Sequence, residues 1–126
     1  GDLEETCMQL ITFAGMTKSS YVEAISQRRA GNEKKALELI KEGKESFVQC
    51  HEIHQQMFTK NYEIKSPIQN LLLMHAEDQM MACETIYILA TELMESYARI
   101  ENLEQTVYTK GSLFYLVLFF YFIITP

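Results

Sequence analysis

The chain has 126 residues, 48% of them apolar and 22% charged, with only 5 Gly and 2 Pro; this suits one domain and excludes a disordered or collagen-like chain. Eleven Lys and Arg against 17 Asp and Glu leave a net charge of -6, which argues against nucleic acid as a partner, because such binding needs an excess of cations. Twelve consecutive apolar residues, Leu113 to Ile124, inflate the composition; without residues 112–126 the apolar share is about 43%.

The start, Gly1-Asp2-Leu3-Glu4-Glu5, is acidic and has neither the basic nor the apolar region of a secretory signal. Cys7, Cys50 and Cys83 are widely spaced and sit beside apolar neighbours, so they read as reduced core thiols. Both features suit a cytoplasmic protein.

Leu3, Cys7, Leu10, Ala14, Tyr21 and Ile25 recur at sums of three and four and predict a first helix over about 3–29. Gly31 then reads as a C-cap and Asn32 as the N-cap of a second helix over about 32–61. Its seam, Ala36, Ile40, Gly43, Phe47, Cys50, His54 and Met57, is spaced alternately by four and three. Ser66-Pro67 marks a third start, and the pattern continues over about 66–103 with Leu71, Ala82, Leu89, Leu93 and Ile100 on one side. The expected fold is an all-α, antiparallel up-down-up three-helix bundle. Its small core and heptad-like seams favour self-association.

On a helical wheel with Leu71 at zero, His75 falls near about +40° and Asp78 near about -20°, so both share this apolar face. A lone His there is commonly a satisfied core residue. An Asp needs a cation, a shared proton or a polar channel, because a buried unpaired carboxylate costs several kcal/mol. His51 and His54 are expected on the inner side of the second helix, with His51 and His75 at equal sequence distance from the turn, so that the two either face one another or flank one pocket. His51-Glu52-Ile53-His54 is too sparse for a convincing metal site, and no His has the Glu three residues earlier that carboxylate-bridged metal bundles use. Phosphate-binding glycine loops and nucleophile elbows are absent from the sequence.

The segment Asn70-Leu71-Leu72-Leu73-Met74-His75-Ala76-Glu77-Asp78-Gln79-Met80-Met81 resembles the phosphorylation site of the IIA components of the lactose/cellobiose-type phosphotransferase system. Ala14-Gly15 followed by Ser19, Gly31 before the second helix, and Cys50-His51 extend the resemblance over roughly residues 3–100. It implies a cytoplasmic phosphocarrier of three-helix subunits assembled as a homotrimer, a nine-helix bundle. His75 would accept a phosphoryl group from the histidine-containing phosphocarrier protein and pass it to a cysteine of the IIB component, serving the membrane IIC permease indirectly. Asp78 of three subunits would hold one Mg²⁺ on the threefold axis, which hard oxygen ligands suit. Glu77 and Gln79 stand where Gln and His are commoner in the family; Gln79, His51 and His54 are expected to support the phosphoryl group with hydrogen bonds.

A noncatalytic helical interaction module is the alternative, and a membrane-associated adaptor a third reading. Residues 1–110 are expected to form the IIA-type domain, with a break at Lys110-Gly111. The tail beyond it, residues 111–126, reads as a strand-like extension foreign to the phosphocarrier core. It is too short for the roughly 20 residues of a membrane span, and more suited to packing on the bundle or a neighbouring subunit.

Overall fold

The computed structural model describes residues 2–126. The described residues form three helices, α1 (Asp2–Arg29), α2 (Glu33–Thr59) and α3 (Pro67–Ile124), joined by short connections, with no strand among them. Acidic Asp2, Glu4 and Glu5 open α1, and basic Arg28 and Arg29 close it, each sign complementing the helix dipole.

The turn between α1 and α2 is a Schellman cap. Gly31 takes φ 87°, which glycine reaches without steric cost. Its N–H donates to the Arg28 carbonyl and that of Asn32 to the Gln27 carbonyl, at 3.0 and 2.9 Å. The expected Asn32 side-chain cap does not form: its amide donates backward to Gln27 Oε1 at 2.8 Å. The start of α3 is capped as expected and more fully. Ser66 Oγ accepts the Gln69 N–H at 3.2 Å, while Gln69 Oε1 accepts the Lys65 N–H at 2.7 Å, a reciprocal arrangement of the capping-box kind. Gln69 Nε2 also donates to Glu4 Oε1 at 2.7 Å, fastening the start of α3 to the start of α1.

The chain divides into two compact units, residues 1–94 and 95–126. In the first, all three helices contribute to the core. Leu3, Cys7, Leu10 and Ala14 of α1 meet Cys50 of α2 and Ala76, Met80 and Cys83 of α3. A second cluster joins Tyr21 and Ala24 to Leu39, Ile40 and Ala90. Burying a side chain such as Leu10 stabilises the fold by roughly 1.5–3 kcal/mol. Gly43 lies so close to the Tyr21 ring that an added Cβ would overlap it, so α1 and α2 approach closely because this position carries no side chain.

The expected inner face of α3 is corrected. Its buried residues are Ala76, Met80, Cys83 and Ala90, whereas Leu71, Leu89, Leu93 and Ile100 are exposed. The helix carries apolar residues on two sides, and the side with small residues lets it pack closely against α1 and α2.

Helix α3 also passes the expected break. Residues 95–124 of the second unit are helical throughout, including Lys110-Gly111 and the apolar run expected to be strand-like. A strand needs a partner for its backbone groups, while a helix satisfies them within the segment. A single interior Gly costs only about 1 kcal/mol relative to Ala. Phe114, Tyr115, Phe119, Phe120, Phe122 and Ile124 along this helical run are all exposed. Helix α3 contains an 18-residue stretch of mean hydropathy 1.7, long and apolar enough by length and composition to cross a membrane, more than the 12-residue run alone suggested.

Candidate functional site

His75 projects from α3 as an exposed side chain beside fully buried Ala76. The core row through Ala76 and Cys83 lies about 80–100° around the helix from it. The imidazole is thus held at the edge of the packed face, on a rigid element but open to a partner. Asp78 is exposed too, so the buried-carboxylate problem does not arise within one chain. It stands among the outward apolar residues Leu71, Met74, Met81 and Leu89, each more than half exposed.

One helical turn beyond His75, half-buried Gln79 is engaged by α1. Lys18 Nζ donates to its Oε1 at 3.0 Å. This contact takes up the Gln79 carbonyl and not the amide N–H groups expected to donate to a phosphoryl oxygen. Lys18 was not anticipated, although it is the only basic residue before Arg28. Its long side chain reaches back toward the N-terminal end of its helix, as helical side chains do.

His54 and Glu77 are also brought together, with Nε2 and Oε1 3.1 Å apart. Phe58 packs edge-on against the His54 ring at 4.9 Å between centroids. Glu77 lies about 200° around α3 from His75. A shallow cleft over this pair is bounded by Leu3, Met57, Tyr62 and Leu73. His51 does not lie on the inner side as expected; it is exposed and stacks along Phe47 at 6.4 Å. The two histidines of α2 therefore have separate surroundings.

The three cysteines are free and buried, as expected of core thiols. Burial pushes the Cys50 thiol up to about 11 and raises Cys7 and Cys83 as well. Cys83 Sγ donates to the Ala14 carbonyl at 3.3 Å. These groups are held as thiols near neutral pH and are unsuited to nucleophilic work. Among the described residues no three His, Cys, Asp or Glu side chains converge on a metal position; Asp78 of one chain needs ligands from elsewhere to hold an ion.

The arrangement is an accessible imidazole on a helix. Residues 5–98 match the family model described as "PTS system, Lactose/Cellobiose specific IIA subunit". The chain belongs to this family. Similar relatives include the lichenan-specific phosphotransferase enzyme IIA component of Bacillus subtilis (strain 168), 25% identical over 79% of this chain and 90% of the relative. The oligo-beta-mannoside-specific EIIA component of the same organism is 29% identical over 75% of this chain and 86% of its own. The lactose-specific EIIA component of Staphylococcus aureus (strain N315) is 28% identical over 72% and 88%. No solved structure matches. The IIA match ends at residue 98 and so leaves out the whole apolar run from Leu113.

Proposed function

We propose that this IIA chain is a cytoplasmic phosphocarrier whose His75 takes a phosphoryl group from the histidine-containing phosphocarrier protein and passes it to a cysteine of the IIB component. The observation that carries the reading is an exposed His75, at the centre of Asn70–Met81, inside the segment that matches the family. A neutral imidazole nitrogen attacks the donor's phosphorus while its other nitrogen keeps the proton. The P–N bond to the donor breaks as the new one forms, and the chemistry then needs positioning and charge compensation more than covalent assistance. IIB would reverse the sequence with a thiolate, returning the electron pair to His75. The membrane IIC permease is served indirectly.

The three helices of residues 2–94 would run up, down and up, and three such subunits would assemble as a homotrimer. The outward apolar row of α3, with Leu71, Met81 and Leu89 more than half exposed, supports this assembly, because a monomer would leave it in water. Asp78 lies within that row and would meet its two copies on the axis. Three carboxylates suit one Mg²⁺, whose chemistry would be to neutralise their repulsion. The relatives' names point to β-linked oligosaccharides, lactose or cellobiose as the sugars taken up, and the carrier itself touches phosphocarriers only.

Incubation with phosphoenolpyruvate and the general phosphotransferase proteins tests the reading. Wild-type chain should take up acid-labile phosphate and His75→Ala none. Absence of label on the wild type, or retention by His75→Ala, would refute it. Sedimentation equilibrium with and without Asp78→Leu, followed by metal analysis of the purified trimer, tests the assembly and the ion separately.

A further inference from the structure

We propose that Lys18 is the cation that receives the phosphoryl group on His75, and that Gln79 holds its ammonium ready for it. The inference rests on the phosphocarrier reading above and adds a binding site to it. Lys18 is half-buried on α1, and its polar contact is the neutral Gln79 carbonyl at 3.0 Å. Among the described residues no carboxylate pairs with it. A partly desolvated ammonium without a counterion is a costly element in a chain of net charge -6, and its natural complement is an anion. Gln79 follows His75 by one helical turn on the same flank, about 40° around the axis, so their Cβ atoms are about 5–6 Å apart. Gln79 therefore holds the ammonium on the flank of α3 that carries its only histidine, on the side away from Glu77.

Transfer brings a dianionic phosphoryl group to a neutral imidazole. One P–N bond is exchanged for another, with the electron pair of the broken bond returning to the donor's ring, so the site gains negative charge and no proton. Lys18 can offer an N–H to a phosphoryl oxygen by giving up its bond to Gln79, whose carbonyl is then left to water. A charge-assisted bond of this kind is about twice as strong as the neutral one it replaces. The exchange gives the ammonium one partner before transfer and another after it.

The test compares wild type, Lys18→Met, Lys18→Arg and His75→Ala by rate of labelling from the phosphorylated carrier protein and by ³¹P NMR of the phosphohistidine. Lys18→Met keeps the packed methylenes and loses the charge. It should accept phosphate roughly 10- to 100-fold more slowly, the loss typical of removing one charge-stabilising donor, and should shift the ³¹P resonance. Lys18→Arg should restore most of the rate, and circular dichroism melts should match wild type. If Lys18→Met unfolds, Lys18→Gln replaces it with the same expectation. Labelling of a folded, uncharged variant at the wild-type rate with an unmoved ³¹P signal overturns the role of Lys18 while leaving His75 as acceptor. An unlabelled wild type overturns the phosphocarrier reading and this inference together, and is recognised by its being no different from His75→Ala.

Discussion

His54 of α2 and Glu77 of α3 are paired, Nε2 to Oε1 at 3.1 Å, three positions beyond His51 and two beyond His75, the residues expected to share a pocket. In the proposed helical hairpin this contact makes His75 level with about Gln56 and His51 level with about Met80, each to within one turn. The pair holds the hairpin's register and stands apart from the nucleophile. Glu77→Leu should lower stability by about 0.5–1 kcal/mol, a modest figure because the Glu77 side chain is 43% exposed. Glu77→Gln, which keeps an acceptor, should cost less. Urea melts measure both, and each variant should still be phosphorylated on His75 at the wild-type rate; a tenfold slower transfer would place Glu77 in the transfer site.

Gly43 faces the ring of buried Tyr21 with no room for a methyl group. Tyr21 is itself packed against Tyr87, centroid to centroid 5.4 Å, and cannot simply swing away. Gly43→Ala should therefore destabilise the fold by about 1–3 kcal/mol through overpacking, even though Ala is the better helix former. Tyr21→Leu combined with it should recover part of the loss. Additive losses in chemical denaturation would show that the two positions do not clash.

Gln69 donates to Glu4 and holds its carboxyl at about 2, below its ordinary 4.5. A depressed folded-state value means that the link contributes stability above pH 4.5, and that this contribution fades as pH falls from there toward about 2. Gln69→Ala should bring the Glu4 carboxyl back toward 4.5 in an NMR titration and flatten this part of the acid-unfolding profile. An unchanged Glu4 titration would assign the depression to another group.

The first two helices were legible because each buries a single side: Leu3, Cys7, Leu10, Ala14 and Tyr21 in α1, and Ala36, Ile40, Gly43 and Cys50 in α2, are all buried as their spacing required. Helix α3 defeated the same reasoning because apolar residues occupy two sides. Periodicity finds both rows but does not tell which one meets the chain's own core. Size is the missing criterion, since Ala76, Cys83 and Ala90 permit close approach and the larger Leu71 and Leu89 do not. His75 was legible from its neighbours in sequence. Lys18 with Gln79 was not, because a contact across 61 positions depends on the reach of one side chain and the stagger of two helices.

The tail offers the sharpest contrast between sequence pattern and solvent. From Leu113 to Ile124 every residue is apolar, so a helix there has no polar side to turn toward water. Gly111–Ile124 rises about 21 Å at 1.5 Å per residue, and the turn before it, which carries Lys110, extends the helix to nearly the roughly 30 Å of a bilayer core. Lys110 can reach the headgroup level with its amine while its methylenes stay in the apolar region. On Triton X-114 phase separation the full chain should enter the detergent phase. Replacing Phe119 and Phe122 with Lys should return it to the aqueous phase, because a charge near the centre of such a helix costs about 2.5–3.5 kcal/mol on insertion scales. His75 phosphorylation should persist in both proteins, since the IIA match ends before the tail. Recovery of the unsubstituted chain in the aqueous phase would mean that the exposed run is covered by protein, which gel filtration of the two forms would register as a difference in size.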